Sequence, residues 1–261
     1  MIRVLDICSG IGGFSLGLES TEKFETVAFC ENESFCKKVL NKHWPEVPIY
    51  NDLKEIGNDP EKIQEEFDLI CGGIPCQPFS VAGRKKGKED NRHLWPYMFE
   101  IIKQKAPTWV IVENVNGFVN VALDDVCLDL ETEGYATQSF IIPACGIEAP
   151  HRRDRVWAIG RNMANPPKLS GDECVDKGNQ PCNRKQQGVQ TQFGREGSYG
   201  THFQTKQWGL EPTVGRVAHG VPNRVDRLKA LGNSIVPQII YHIGIAIANE
   251  ERGEPDGSNE D

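Results

Sequence analysis

No stretch of eighteen apolar residues occurs in the 261-residue chain, so no membrane-spanning helix is expected. The opening MIRVLDICSG lacks a longer apolar region and a small-residue cleavage site, and reads as a buried strand rather than a signal peptide. No internal repeat is present. The nine cysteines are an odd number, and most sit inside apolar runs, where reduced cysteine behaves as a small hydrophobe. That pattern fits a reducing cytoplasm better than a secreted disulfide framework. A net positive charge is also missing, the overall balance being −8. Divided by region the balance changes: residues 151–230 carry 14 Lys and Arg against 7 Asp and Glu, and the remainder 15 against 30. A basic segment on an acidic body suits a local phosphate footprint, or an ordinary solvated surface.

What is present is ordinary globular composition, 38% hydrophobic and 25% charged, enough for one large core with a small second lobe. Residues 1–160 alternate short apolar runs (3–7, 26–30, 68–73, 109–114) with helical or loop stretches such as 33–43 and 93–105. Continuous apolar strands separated by helices predict an α/β fold with a mostly parallel sheet covered on both faces. The run 155–160 predicts a further strand of that sheet. Residues 161–215 hold eight Gly and seven Gln with scattered aliphatics, too little for a core of their own. Order returns near 216: Ile235, Ile239, Ile243 and Ile247 recur every four residues, a buried helical stripe, with Pro237 in that helix's first turn. The expected division is 1–160 catalytic and cofactor-binding, 161–225 a small recognition segment, 226–249 a return to the first unit, and 250–261 a solvated tail.

The turn Asp6-Ile7-Cys8-Ser9-Gly10-Ile11-Gly12-Gly13-Phe14 follows the first strand and opens the first helix. Glycines there let a backbone approach a ligand, and the turn suits a dinucleotide, S-adenosylmethionine or a plain tight turn. The second strand ends Cys30-Glu31-Asn32, where an acidic side chain can accept from both hydroxyls of a ribose or can cap a helix. Asp52 is a weaker third contact. Then comes Gly72-Gly73-Ile74-Pro75-Cys76-Gln77-Pro78-Phe79-Ser80, at the carboxyl end of a strand, where open α/β sheets place their chemistry. A cysteine in a proline-flanked loop is exposed enough to react. Behind it Arg84, Lys85, Lys86, Lys88 and Arg92, with glycines at 83 and 87, form a basic loop suited to a phosphate backbone.

The stretch Pro75 to Ser80 resembles the catalytic motif of the DNA (cytosine-5)-methyltransferase family. In the same order, Glu113-Asn114-Val115 resembles the family's Glu-Asn-Val motif, and His151-Arg152-Arg153-Asp154-Arg155 its Gln-x-Arg-x-Arg motif. Gly232-Asn233-Ser234 resembles the Gly-Asn-Ser/Ala element that returns the C-terminal helix beside the cofactor. Residues 216–228 are similar to compact phage, prophage or bacterial members. The resemblance covers about 1–160 and 216–249. It implies a Rossmann-like class I S-adenosylmethionine-dependent methyltransferase with a small irregular target-recognition lobe. Implied cofactor positions are Asp6, Cys8, Ser9, Gly10, Gly12, Gly13, Phe14, Glu31, Asn32, Asp52, Leu53, Gly73, Pro75, Asn233 and Ser234. Implied DNA contacts are Ser80, Arg84, Lys85 and Arg92.

The chemistry explains the residue types. Carbon 5 of cytosine is a poor nucleophile until a thiolate adds to carbon 6, so Cys76 is the expected nucleophile. Charge builds on the ring during addition, and an acid near N3 lowers the barrier; Glu113 fits if a dry pocket keeps it protonated. Asn114 would fix the pocket, and Arg155 with Arg153 would bond the cytosine O2 and a nearby phosphate. The base must be flipped out of double-stranded DNA, at a cost of a few kcal/mol. A cognate restriction endonuclease is an implied functional partner, and action on a single base needs only a monomer. Cys8 stands where the family often has an aromatic, and His151 where glutamine is usual. The segment that in the family reads base edges is short here, which suggests short or relaxed recognition. No metal is expected, because Cys174 and Cys182, with His202 downstream, lack a close Cys-x2–4-Cys pair. Transfer to tRNA, known in one branch of the family, a silent DNA-binding fold and a nicotinamide dehydrogenase are the competing readings.

Overall fold

A computed structural model describes residues 1–74, 94–165 and 224–253. The four apolar runs form strands: Ile2–Ile7 (β1), Phe24–Cys30 (β2), Leu69–Gly73 (β4) and Trp109–Val115 (β5). Side chains from both sides of these strands, Val4 and Leu5 or Val110 and Ile111, are fully enclosed, the burial that an uninterrupted apolar run implies. With Ile49–Tyr50 (β3), Tyr135–Pro143 (β6) and Asp154–Asn162 (β7) they build a seven-stranded sheet in the order β3-β2-β1-β4-β5-β7-β6. β3, β2, β1, β4 and β5 pair parallel, whereas β7 runs antiparallel to both β5 and β6. The chain's direction of travel across the sheet reverses between β1 and β4, the place where open α/β sheets leave a crevice beyond their carboxyl ends.

Helices cover both faces. Gly13–Glu19 (α1) and Pro237–Arg252 (α7) bury Phe14, Leu18, Ile239, Ile240 and Ile247 with Trp157 on one side. On the other, Leu53–Asn58 (α3), Trp95–Lys105 (α4) and Leu123–Thr132 (α5) bury Ile56, Met98, Ile101, Ile102, Val126 and Leu130. Ser34–His43 (α2) follows β2. α1 and α7 touch so closely at Gly17 that a Cβ there would strike Ile240 and the backbone of Pro237.

Four expectations need adjustment. Residues 116–150, which carry no obvious signal, hold α5 and the edge strand β6. The return is two helices rather than one: Arg224–Asn233 (α6) ends at a connector before α7, where Pro237 occupies the first turn. α7 continues past 249 to Arg252, because Glu250 pairs with Arg161 at 2.6 Å and Glu251 accepts from Trp109 Nε1 at 2.9 Å. β7 likewise runs to Asn162, two residues beyond the expected boundary. Val225–Arg252 is long and apolar enough by composition to cross a membrane, yet α7 spends its isoleucines on the core described above. Within 161–225 only residues 161–165 and 224–225 are described, and within 250–261 only 250–253, so the rest of both expected segments lies outside the described residues.

Candidate active site

The glycine turn after β1 is set by its backbone. Gly10 (φ 56°) and Gly12 (φ 83°) lie in the left-handed region that L side chains disfavour. A Cβ on Gly10 would meet nothing within 4 Å, so the backbone there is open to a ligand, whereas one on Gly12 would strike Trp44. Cys8 shares the left-handed conformation (φ 49°) and is half-buried. Burial drives its thiol well above the ordinary range, which disfavours the thiolate there. Burial likewise raises the Cys30 thiol, to about 12.

Two carboxylates shape this turn. Glu31 stands at the end of β2, where its Oε2 accepts from Gly10 N and its Oε1 from Glu33 N, both at 2.7 Å. It therefore latches the turn to the β2–α2 loop while keeping lone pairs for a further donor. Asp6 is fully buried beneath the turn; its Oδ2 accepts from Ser15 Oγ at 2.9 Å and its Oδ1 is an orphaned buried oxygen. Complete burial pushes its carboxyl up to about 7. Ser9 Oγ donates to Asp6 O at 2.6 Å, pinning the turn from inside. Phe14 is enclosed edge-on to Trp157 (5.9 Å between ring centres), and Leu53 is also in the core, so both support the turn region from within. Asn32 and Asp52 are exposed, and Asp52 caps α3 by accepting from Lys54 N at 2.9 Å.

A second cluster forms where β4 and β5 end. Gly73 lies opposite Glu113 in the parallel ladder, and Trp157 opposite Glu113 in the antiparallel one. The reversal of β7 therefore brings Arg155 onto the same face as Glu113, two residues along. Arg155 Nε meets Glu113 Oε1 at 2.8 Å, leaving Oε2 turned toward Gly73, where an added methyl would come within 3.1 Å. Glu113 is 7% exposed, and burial pushes its carboxyl up to about 7 against the pull of Arg155 and Arg153. That is a carboxyl poised near neutrality. Asn114, on the opposite face, donates from Nδ2 to Ile74 O at 3.0 Å while its Oδ1 accepts from Val115 N at 2.9 Å. Asn114 thus holds the chain two residues before Cys76. Pro75, Cys76, Ser80, Arg84, Lys85 and Arg92 lie outside the described residues.

Arg153 sits with an uncommon positive φ of 35°, and its Nη2 donates to Gly232 O at 2.8 Å and to Ser234 O at 2.6 Å. Ser234 in turn abuts the glycine turn, since a Cβ on Gly13 would lie 2.9 Å from Ser234 Oγ. Asn233 is exposed beside it. The structure thus joins Gly10 with Glu31, Gly73 with Glu113 and Arg155, and Arg153 with Ser234. Ser15 and Lys229, whose Nζ pairs with Glu33, were missed by sequence reasoning. Only the placement of Ser15 nine residues after Asp6, on a helix face that turns inward, hinted at the first.

A family model described as C-5 cytosine-specific DNA methylase matches residues 2–207. The chain is 33% identical over 174 residues to the type II methyltransferase M2.BsuMI of Bacillus subtilis (strain 168), covering 63% of this chain and 43% of that protein. It is 31% identical to M.HhaI of Haemophilus parahaemolyticus (60% and 48% covered), and 32% identical to the orphan methyltransferase M.Rho11sI of Bacillus phage rho11s (61% and 33%). The chain spans less than half the length of these curated relatives. Among solved structures, a Spodoptera frugiperda DNMT2 mutant superposes with TM-score 0.53 at 24% identity, over 66% of this chain and 54% of that one. Dnmt2 of S. pombe superposes with TM-score 0.54 at 21% identity (66% and 53%).

Proposed function

The chain belongs to the C-5 cytosine-specific DNA methylases, and from that premise we propose that it methylates carbon 5 of a flipped cytosine in double-stranded DNA. The observation that carries the reading is Glu113: a buried carboxyl near neutrality, held on one oxygen by Arg155, at the end of the strand beside the one that leads to Cys76.

The residues around the glycine turn fit S-adenosylmethionine. Gly10 presents open backbone, Glu31 retains acceptor capacity at the end of β2, Asp52 is exposed at the next strand end, and the orphaned Asp6 Oδ1 lies beneath. Gly10, Glu31, Asp52 and Ser234 would hold it, and when bound it supplies the methyl group from its sulfonium. The dehydrogenase reading has no use for Glu113 and Arg155.

The chain's own residues divide the remaining work. Cys76, as thiolate, adds to carbon 6 and makes carbon 5 electron-rich. The protonated Glu113 donates toward N3 through Oε2, the oxygen that Arg155 leaves uncommitted, and so offsets the charge that addition places on the ring. Arg155 fixes the carboxyl and presents its remaining donors to O2 of the base. Asn114, by gripping Ile74 O, keeps the base of the Cys76 loop in register with β5. Loss of the carbon-5 proton to water then expels Cys76. The basic residues Arg84, Lys85 and Arg92, with Ser80, would meet phosphates, a single protomer suffices, and a cognate endonuclease would make the pair a restriction-modification system.

The test is incubation of the purified chain with methyl-labelled S-adenosylmethionine and, in parallel, mixed-sequence duplex DNA and tRNA. Label in DNA that vanishes in Cys76→Ser supports the reading, and mapping of 5-methylcytosine gives the site. Label only in tRNA moves the substrate to RNA, and no label with cofactor still bound points to a silent fold.

A further inference from the structure

α6 and the connector after it are fastened to the sheet's carboxyl edge at three points. At the C-terminal end Arg153 bridges Gly232 O and Ser234 O. These are carbonyls at or just past the end of a helix, where the backbone lacks intrahelical donors and the macrodipole is negative. On the side of the glycine turn, the connector packs so tightly that a Cβ on Gly13 would fall 2.8 Å from Ile235 Cγ1 and 2.9 Å from Ser234 Oγ. Further up the helix, Lys229 pairs with Glu33, whose backbone N–H in turn donates to Glu31 Oε1. The helix is thereby tied to the loops after β1, β2 and β6, while Ala230 and Ile235 are buried beneath it.

Arg153 holds this position with a backbone that L residues seldom adopt, φ 35°. Such strain persists only where surrounding contacts over-determine it. The two carbonyl bonds are among the contacts that do so, together with Ala144 N, which donates to the backbone carbonyls of Arg152 and Arg153.

We infer that Arg153 is a positioning residue for the cofactor: it moors the α6–α7 connector against the glycine turn, rather than touching the base or its phosphates. This rests on the proposed methyltransfer reading, since the turn must be where S-adenosylmethionine binds. It also separates the two arginines of the motif into different tasks, Arg155 toward the base through Glu113 and Arg153 toward the cofactor through Ser234.

The experiment is S-adenosylmethionine titration of the full chain by calorimetry without any DNA, for wild type, Arg153→Ala and Arg153→Lys. Duplex-DNA affinity and the unfolding midpoint are measured alongside. Because the two carbonyl bonds reach the cofactor only through the connector, part of their energy is expected in its affinity, about a ten- to hundredfold loss in Arg153→Ala. Arg153→Lys, which keeps a cation able to donate to both carbonyls, recovers part of that loss, and DNA affinity stays close to wild type. Unchanged cofactor affinity in Arg153→Ala, with DNA binding or turnover lost, overturns the inference in favour of a nucleic-acid contact. Should Arg153→Ala fail to fold, Lys229→Ala reads the same mooring from the surface. It is expected to weaken the cofactor by about two- to fivefold, the scale of an exposed ion pair, and no change there contradicts the inference. A wild-type chain that binds no S-adenosylmethionine is a different result: it removes the methyltransfer reading itself.

Discussion

Replacing Glu113 by Gln keeps the volume and one acceptor oxygen but removes the proton that the carboxyl can give. In the wild type the carboxyl is 7% exposed, meets Arg155 Nε at 2.8 Å and is pushed up to about 7 by burial. General acid catalysis by a placed side chain is worth about 10²- to 10⁴-fold, so single-turnover methylation by Glu113→Gln should fall by that range. The pH profile carries the sharper signature. The proposed mechanism requires the acid form of Glu113, so activity should decline as pH rises through about 7. The same mechanism requires the thiolate of Cys76, which grows with pH. Opposed requirements give a bell. Glutamine does not titrate, so the descending limb should disappear and the residual rate should only climb with pH. The assay is methyl transfer to duplex DNA under single-turnover conditions from pH 5.5 to about 9, with the unfolding midpoint of both proteins as a check on folding. A variant that keeps wild-type turnover, or one that is slow yet retains the descending limb, refutes the assignment.

Other consequences follow from the same geometry. Gly73→Ala places a methyl 3.1 Å from Glu113 Oε2 and should cut turnover roughly ten- to a hundredfold by displacing that oxygen, while the melting curve barely moves. Gly17→Ala drives a Cβ into Ile240 and the Pro237 backbone, and should lower the free energy of unfolding by about 1–3 kcal/mol in a urea titration. Asp6 is protonated up to about pH 7 in the fold but only to about 3.8 when unfolded. Its contribution to stability is therefore fullest below pH 4 and lost as pH rises toward 7, on the order of 4 kcal/mol. Asp6→Asn should flatten that slope in denaturation curves measured from pH 4 to about 8.

The central parallel strands were plain in the sequence because strands buried on both faces read as near-continuous apolar runs, interrupted here by Arg3 and Asp6 in β1, Glu25 in β2 and the site pair Glu113 and Asn114 in β5. β6 escaped notice: as an edge strand it buries Tyr135 but exposes Ala136, Gln138, Ser139 and Ile141, so neither a run nor a clean alternation marks it. α5 did carry a helical spacing in Leu123, Val126 and Leu130, diluted by four acidic residues. The split of the C-terminal return at Ser234 was hidden because Ile235 keeps the four-residue period although it precedes the helix. At the site, residue types were legible but not their pairings. Glu113 and Arg155 meet only because β7 reverses direction, and nothing in an apolar run tells its direction. The backbone of Arg153, and with it the bridge to Gly232 and Ser234, has no signature in sequence.

The central claim is a covalent bond between Cys76 and carbon 6 of cytosine. A duplex carrying fluorine at carbon 5 cannot lose a proton there after methyl transfer, so the proposed mechanism leaves the chain attached to the DNA. Incubation of the chain with such duplexes and S-adenosylmethionine, followed by digestion and mass spectrometry, should yield a nucleotide-bearing peptide modified at Cys76. It should be absent without cofactor and absent in Cys76→Ser. No adduct from a chain that methylates ordinary duplex DNA, or an adduct on another cysteine, would contradict the account.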